Sequence, residues 1–412
     1  MNNKTHSWPD GHWHWPVKVS HYHGVKRGGF IFTGGQASLN TAGQVVNPDD
    51  LSAQTLNVYQ HVETILNDLG ATTDDLVKLV IYFVGDESDE KRMLDIIASR
   101  LPDASNPVVS TICLPALCYP GMRIELEGVV IDPDYRTDNN PAFFRSETLP
   151  SLNKQFSHVV RCNDLIFTGD VSAIKTDGTL EASGDLISQT RAMMENLGVV
   201  LSLANTGFDQ VLKLNVFYQG DGTAKNWEAP AAIRAAFFND PGPAATGIAL
   251  KRFAQQGLMT KIAVTAHSTE TGSSDADNYG VRYSWPDGHW NWTTTLPYKH
   301  GNRCGKVIHL GGQVALDTNA DVLHPDDIVA QTHVALDNIK TILADLDASM
   351  DDVIKVTTFY QGAASAEALH ENLLVRSSAF QTPGPATSGI PVPYLVYEQM
   401  MIEIEVIAIS DA

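Results

Sequence analysis

The sequence predicts an α+β protein made of three tandem domains with the same fold. Two observations support this: one long segment is repeated three times, and each repeat has the same order of strand-like and helix-like patterns. His23, His158 and His300 are separated by 135 and then 142 residues. The same offsets relate Asp50, Asp185 and Asp327; Gln54, Gln189 and Gln331; and Lys78, Lys213 and Lys355. Repeats of this length correspond to whole domains.

Two polar segments without hydrophobic periodicity, residues 132–140 and 268–278, are expected to be linkers. They divide the chain into predicted domains at 1–133, 141–268 and 280–412. Each domain begins with a β-rich hairpin (29–36, 164–171 and 306–313) followed by an amphipathic helix. A buried strand, a second helix and a closing strand complete the predicted unit, an α+β arrangement with the helices on one face of a sheet.

Charge and composition exclude several classes of partner. The formal net charge of -20 argues against nucleic acid and anionic membranes. The first residues lack the apolar segment of a signal peptide, and no apolar run approaches 18 residues. The cysteines Cys113, Cys118, Cys162 and Cys304 have no CxxC spacing, so we expect reduced thiols in a cytoplasmic protein. The expected partner is a small-molecule substrate.

Three short sequence motifs, in a fixed order, resemble those of the Rid (YjgF, reactive intermediate deaminase) family. The first is Pro297-Tyr298-Lys299-His300-Gly301, the second is Gly34-Gly35-Gln36 with its third-copy counterpart at 311–313, and the last is the closing strand 402–408. The resemblance implies chorismate-mutase-like domains that form a trimer with ligand clefts between neighbours. Here the trimer would be intramolecular, a monomeric pseudo-trimer that either stays single or pairs further. The resemblance implies no metal and no cofactor.

One feature of the family is absent. Family deaminases have an arginine directly after a Pro-Ala step, where it holds the substrate carboxylate through two hydrogen bonds. The corresponding positions here are Val109, Ala245 and Thr387. We therefore expect a neutral or cyclic substrate, or no chemistry, rather than the usual amino-acid-derived imine.

The closing strands carry the predicted catalytic residues. Glu125 and Glu127, like Glu403 and Glu405, are two residues apart, so each pair projects from one face of its strand. The resemblance makes Glu125 and Glu403 the residues that hold a hydrolytic water. A carboxylate in a partly desolvated cleft can act as a general base, although hydrogen-bonded structural glutamates would fit the same pattern. The second copy has Lys261 here, so its site should differ or be inert.

An unusual segment, Trp-Pro-Asp-Gly-His-Trp, occurs at 8–13 and again at 285–290. After the Pro-Asp-Gly turn, the alternation predicts a strand with His12 and His14 on one face and Trp13 and Trp15 on the other. Such a strand could form a cleft wall for a flat ligand. Alternatively, the tryptophans attach the strand to the core and the histidines are solvated.

Several histidines allow other interpretations. Asp10, His12, His14, His21 and His23 could bind zinc or iron, but the third copy has Asn291 and Tyr298 in place of His14 and His21. We therefore predict no metal. Because His23, His158 and His300 recur in all copies, a role in the fold is favoured for them. Tyr298, Tyr22 and His21 are predicted to contact a ligand in clefts that differ from one another.

The sequence thus predicts a metal-independent hydrolase of a small nitrogen-containing or cyclic metabolite. Glu403 or Glu125 would activate water, and the predicted substrate-binding residues are His12, His14, His289, Tyr298, His21, Tyr22 and Thr387. We expect His12, His289 and Tyr298 to line one cleft between domains. Two alternatives remain: a non-catalytic ligand-binding protein, and an enzyme that resembles the chorismatases and acts on a cyclic acid.

Overall fold

The computed structural model describes residues 4–150, 153–268, 280–362 and 365–411. They form three units, each a mixed β-sheet that carries two α-helices. The predicted α+β class is therefore confirmed. The domain boundaries remain a prediction, and most of the second predicted linker lies outside the described residues.

The elements of each unit follow the same order along the chain. Unit 1 is built from β1 (Thr5–Ser7), β2 (Gly24–Arg27), β3 (Phe30–Thr33), β4 (Gln36–Ala37), α1 (Leu51–Asp68), β5 (Leu76–Phe83), α2 (Glu87–Arg100), β6 (Val108–Cys113) and β7 (Ile124–Ile131). Unit 2 is built from β8 (Ala142–Phe144), β9 (Val159–Cys162), β10 (Leu165–Thr168), β11 (Val171–Ser172), α3 (Leu186–Leu203), β12 (Val211–Gln219), α4 (Ala224–Ala235), β13 (Ala244–Leu250) and β14 (Thr260–His267). Unit 3 is built from β15 (Arg282–Ser284), β16 (Gly301–Cys304), β17 (Val307–Leu310), α5 (Ile328–Asp345), β18 (Val353–Gln361), α6 (Ala366–Ser378), β19 (Ala386–Val392) and β20 (Ile402–Ile409).

Each sheet ends in a parallel edge strand that is absent from the elements predicted from the sequence. In unit 1 the strand order is β1-β2-β3-β7-β5-β6, in which β5 and β6 run parallel and the other pairs antiparallel. Units 2 and 3 repeat this order with the parallel pairs β12–β13 and β18–β19. The edge strand follows the second helix and begins at the Pro-x-x step, so it brings that step into the interface between units.

The recurring aspartates and glutamines fix the first helix of each unit. Asp50 caps α1 by accepting a hydrogen bond from the backbone N–H of Ala53 (3.0 Å), and the equivalent aspartates cap α3 and α5. Gln54 donates to the backbone oxygen of Gly121 (2.7 Å) and accepts from the N–H of Arg123 (2.8 Å). These bonds tie α1 to the loop before β7, which explains why Asp and Gln recur at fixed spacing.

The first helices bury the apolar stripe that the sequence predicts. In α5 the buried residues include Leu336, Ile339, Ile342 and Leu343, whereas Val334 is half-buried. Each fully buried side chain of this kind contributes about 1.5–3 kcal/mol relative to an exposed one. Within the described ranges, no helix combines the length and the hydrophobicity needed to cross a bilayer.

The three units close into a ring. The opening segment of each unit pairs with the edge strand of a neighbour, through the bridges Tyr22–Ala386, Ser157–Val108 and Lys299–Ala244. Unit 1 thus contacts unit 3, unit 2 contacts unit 1, and unit 3 contacts unit 2. The predicted intramolecular pseudo-trimer is confirmed.

Candidate active site

Three equivalent clefts lie where the closing strand of one unit faces the edge strand and second helix of another. The 2–3 cleft lies between β20 and the pair β13 and α4, and the 1–3 cleft lies between β7 and the pair β19 and α6. The 1–2 cleft lies between β14 and the pair β6 and α2. The closing strands carry different residues at the equivalent position. This residue is Glu403 in the 2–3 cleft, Glu125 in the 1–3 cleft and Lys261 in the 1–2 cleft.

The 2–3 cleft contains about 540 Å³ of empty space and has largely aromatic walls. The aromatic residues are Trp227, Trp290, Trp292, Tyr298 and Tyr397. Glu403 and Arg234 add charged groups to this lining. A concave, mainly apolar site with a few convergent polar groups is typical of small-molecule binding.

Glu403 is buried at the base of the 2–3 cleft. Burial and, to a smaller extent, the neighbouring Glu405 carboxylate together raise the pKa of its carboxyl group to about 8, because both disfavour a negative charge. Gly312 lies so close that a Cβ at this position would collide with the Glu403 carboxylate. The position of Glu403 therefore requires glycine as the second residue of the Gly-Gly-Gln motif.

Arg234 enters the same cleft from α4 and is 2% exposed. Its guanidinium group lies beside the hydroxyl groups of Tyr298 and Tyr218. Nevertheless Nε, Nη1 and both hydroxyls have no well-aligned hydrogen-bond partner in the part of the chain that the structure describes. Burial also lowers the pKa of Arg234. A buried cation whose donors lack well-aligned acceptors is costly, and an anionic group in the cleft would satisfy those donors.

The equivalent arginine of unit 3, Arg376, has its donors satisfied within its own unit. Its Nε and Nη2 donate to Asn372 Oδ1 (3.0 and 2.8 Å), and its Nη1 donates to the Thr387 hydroxyl (3.0 Å). Unit 2 has Pro230 and Ala245 at the positions of these two acceptors. Neither side chain can accept a hydrogen bond, which explains why the arginine of the 2–3 cleft has free donors.

The 1–3 cleft is a smaller version of the same arrangement, with about 380 Å³ of empty space. Burial raises the pKa of Glu125 to about 8, and the nearby Glu127 carboxylate contributes. Thr387, a predicted substrate-binding residue, lines this cleft but is engaged by Arg376. The 1–3 cleft therefore has the acid and the aromatic wall, but no free guanidinium donor on its described lining.

In the 1–2 cleft the site of the glutamate is occupied by an ion-pair cluster. Lys261 Nζ lies 3.2 Å from a Glu90 carboxylate oxygen and 3.4 Å from that of Asp170, and it donates to the Thr111 hydroxyl (2.9 Å). Unit 1 has Ala98 at the position of the arginine. The 1–2 cleft thus has different charged groups from the two glutamate clefts, and whether the second copy differs in chemistry or is inert stays a prediction.

The Trp-Pro-Asp-Gly segment does not form the predicted strand, since residues 12–15 and 289–292 have no strand hydrogen bonds. His12 is buried and its Nε2 donates to Gln36 Oε1 (2.9 Å), which also accepts from Trp13 Nε1 (3.1 Å). His14 is exposed. His12 and Trp13 therefore point to the same side, towards Gln36 Oε1, whereas His14 points to solvent. The two histidines do not share a face.

The second copy of the segment repeats these contacts. His289 Nε2 and Trp290 Nε1 both donate to Gln313 Oε1, each at 3.0 Å. This orients the tryptophan rather than the histidine into the 2–3 cleft. His12 occupies the position in unit 1 that His289 occupies in unit 3. His12, His289 and Tyr298 therefore do not line one cleft, contrary to the prediction.

Tyr298, His21 and Phe156 occupy equivalent positions in the three units. Tyr298 lines the 2–3 cleft next to Arg234, and His21 is buried next to Arg376. Burial lowers the pKa of His21 to about 3, so its imidazole is neutral. The walls of the two glutamate clefts thus differ as the sequence suggests.

The remaining predicted residues lie away from these cavities. The Trp8 ring contacts Tyr22 and His14, with centroids 5.6 and 5.3 Å apart. His23 Nε2 donates to the backbone oxygen of Trp13 (3.1 Å), which supports a role for it in the fold. Across the described residues, no group of three or more His, Cys, Asp or Glu side chains is arranged to hold a metal ion.

Arg234 and Arg376 are absent from the residues predicted from the sequence, because a cation was expected only after the Pro-Ala step. A signal was present, because each arginine lies nine residues before the proline of that step, at Pro243 and Pro385. A charged residue repeated at a buried helix position is an unusual pattern. Only the contact between units reveals that α4 and α6 face a neighbouring closing strand.

Comparison with known proteins places these observations in a family. A sequence profile described as Endoribonuclease L-PSP matches residues 16–132, 147–268 and 291–410. The 3-aminoacrylate deaminase RutC of Acinetobacter baylyi is 31% identical over 112 residues, which are 27% of this chain and 86% of that protein. The 2-iminobutanoate/2-iminopropanoate deaminase of Escherichia coli is 30% identical over 116 residues, 27% of this chain and 87% of that protein.

A similarity to one solved structure extends over most of the ring. A chorismatase crystal structure superimposes with a TM-score of 0.53 and 14% sequence identity, and the match covers 81% of this chain and 93% of that chain. At this level of identity, the similarity concerns the fold.

Proposed function

Because the chain belongs to the Rid (YjgF) family, whose profile it matches three times, we propose that it is a hydrolase of the deaminase type. Its substrate is a small nitrogen-containing or cyclic metabolite, bound in the 2–3 cleft without a metal or cofactor. One observation carries this proposal: Glu403, with its raised pKa, shares a cavity with the free donors of Arg234.

In the proposed reaction, the ionised Glu403 accepts a proton from a water molecule as the water oxygen attacks the carbon of a C=N or amide C–N group. The attack forms a C–O bond and gives a tetrahedral intermediate. Glu403, now protonated, returns the proton to the nitrogen. From an amide, the C–N bond then breaks to release ammonia or an amine and leaves a carboxylic acid. From an imine, Glu403 next passes the hydroxyl proton of the carbinolamine to the nitrogen, so that the C=O bond forms as the C–N bond breaks and ammonia or an amine leaves. A carboxyl group with a pKa near neutrality is suited to both steps.

Arg234 is the proposed anchor for an anionic group of the substrate, such as a carboxylate. The guanidinium Nε and Nη1 can donate two parallel hydrogen bonds, and Tyr298 can add a third. The expectation of a neutral substrate rested on the missing arginine after the Pro-Ala step. A cation supplied by α4 removes that objection, so an acid is the favoured substrate class.

The first test compares two matched variants of the glutamates. We expect Glu403→Gln to lower ammonia release by about 100-fold or more, the usual size of a general acid–base effect. Glu125→Gln should retain most of the activity, because the donors of Arg376 in the 1–3 cleft are already satisfied. The measurement is a coupled ammonia assay with small imines generated in solution and with cyclic amides.

The reverse order of effects, with Glu125→Gln the more damaging change, would place the reaction in the 1–3 cleft. Tight binding of the same compounds without turnover, unchanged by either substitution, would favour the non-catalytic alternative. In that case the 2–3 cleft would be a sensor site for the same class of ligand.

A second candidate is an enzyme acting on a cyclic acid, as the chorismatase does by its name. It is favoured by the combination of aromatic walls with a buried, unsatisfied arginine in the 2–3 cleft. Including chorismate in the substrate panel distinguishes the two, since its hydrolysis releases no ammonia. Consumption of chorismate that depends on Glu403 and Arg234 would establish this candidate over the deaminase.

A further inference from the structure

A separate cavity lies on the pseudo-threefold axis, where the inner faces of the three sheets meet, and it contains about 870 Å³ of empty space when its opening to solvent is included. It is lined by residues of β5, β12, β18 and the closing strands and is distinct from the clefts between units. Its wall is mainly apolar and includes Phe32, Val80 and Phe167. The recurring lysines Lys78, Lys213 and Lys355 all line it.

Two of these lysines are neutralised by a glutamate of a neighbouring unit. Lys213 Nζ lies 2.7 Å from a Glu405 carboxylate oxygen, and Lys355 Nζ lies 3.1 Å from one of Glu127. Each lysine also donates to a hydroxyl group on the adjacent edge strand. Both lysines are 5% exposed. The pattern is a ring of buried ion pairs that cross from unit to unit.

The third ion pair of the ring is missing. Unit 2 has Ala263 at the position equivalent to Glu127 and Glu405. Lys78 therefore faces an alanine, and it makes no hydrogen bond or ion pair with any described residue. Asp170 is the carboxylate that most strongly raises the pKa of Lys78, but it forms an ion pair with Lys261. Unlike its two counterparts, Lys78 is only half-buried.

We propose that the central cavity is a second ligand site, in which Lys78 binds the carboxylate of a small, otherwise apolar monoanion. Three lysines and two glutamates leave one uncompensated positive charge in this ring. A carboxylate beside Lys78 would complete the third ion pair, and the apolar wall would hold the remainder of the ligand. Burial lowers the pKa of Lys78, and a bound carboxylate opposes that shift.

The test uses 4-bromobenzoate as the probe and an Arg234→Met background, which removes the anion anchor of the 2–3 cleft. In crystals soaked with the probe, we expect anomalous bromine density in the central cavity, with the carboxylate next to Lys78. By calorimetry, Lys78→Met and Ala263→Glu should each weaken binding at least tenfold. Ala263→Glu supplies the missing partner from the protein itself.

Ala263→Gln is the matched control, because it adds the same volume without a charge. It should keep affinity within a few-fold, and benzamide, the uncharged analogue of benzoate, should bind at least tenfold more weakly than benzoate. Thermal unfolding of each variant establishes that it is folded. Equal losses in Ala263→Gln and Ala263→Glu, or bromine density only outside the central cavity, would overturn the proposal.

Discussion

At the scale of single residues, the proposed reaction requires the ionised form of Glu403 in the 2–3 cleft. Its pKa of about 8, raised by burial and by Glu405, means that the base is mostly protonated at neutral pH. A general base must be ionised, so activity should increase as pH rises. We predict that kcat/KM increases about tenfold per pH unit below pH 8 and levels off above it, because this ratio reports the free enzyme.

The measurement is kcat/KM for the best substrate between pH 6 and pH 10. Residual activity of Glu403→Gln should not show the same inflection, since the amide does not titrate. A wild-type profile that is flat from pH 6 to pH 9 would contradict the role of Glu403 as the base.

At the scale of secondary-structure elements, α4 and β13 lack the two side chains with which α6 and β19 satisfy the donors of the equivalent arginine. We predict that Pro230→Asn combined with Ala245→Thr gives Arg234 the partners that Arg376 has. The protein should become more stable, because a buried donor without an acceptor costs about 1–3 kcal/mol and the interior helix proline is removed. Turnover in the 2–3 cleft should fall at least tenfold.

Thermal unfolding and kcat/KM, measured on the same preparations, test whether the double variant gains stability and loses activity. Pro230→Ala is the control, since it restores the helix without adding an acceptor and should leave turnover unchanged. Undiminished activity in the double variant would show that Arg234 does not need free donors to act.

The sequence predicted the first helices, the central strands and the closing strands because all three copies keep their patterns. It missed β6, β13 and β19, since a short strand that begins at a proline resembles a turn. The alternation of His12 to Trp15 suggested a strand, but hydrogen bonds to Gln36 decide the conformation. Arg234 was missed for a different reason: its environment is created by another unit, which no local pattern encodes.

At the scale of the whole molecule, each unit covers the edge strand of a neighbour. The outer side of β13 is paired with residues of unit 3, through Lys299 N–H to Pro243 O (3.2 Å) and Gly312 N–H to Ala245 O (3.0 Å). Exposed sheet edges promote association. We predict that a fragment of residues 1–268, which uncovers β13, forms oligomers, whereas the full ring does not associate through this edge.

Size-exclusion chromatography with light scattering distinguishes the two outcomes. Introducing a lysine at Ala245 in the fragment should reduce association, because a charge on an open edge disfavours strand pairing. A fragment that remains monomeric at the same concentrations as the full chain would contradict the prediction.

The three interfaces of the ring are also expected to form at different times during translation. Unit 3 contributes to both glutamate clefts, whereas the interface of units 1 and 2 is joined by the Lys261 cluster. As domains fold in order during translation, the first two units can associate through that cluster while the third is still being made. Neither glutamate cleft exists until unit 3 docks, so the proposed substrate site forms only when all three units have been made.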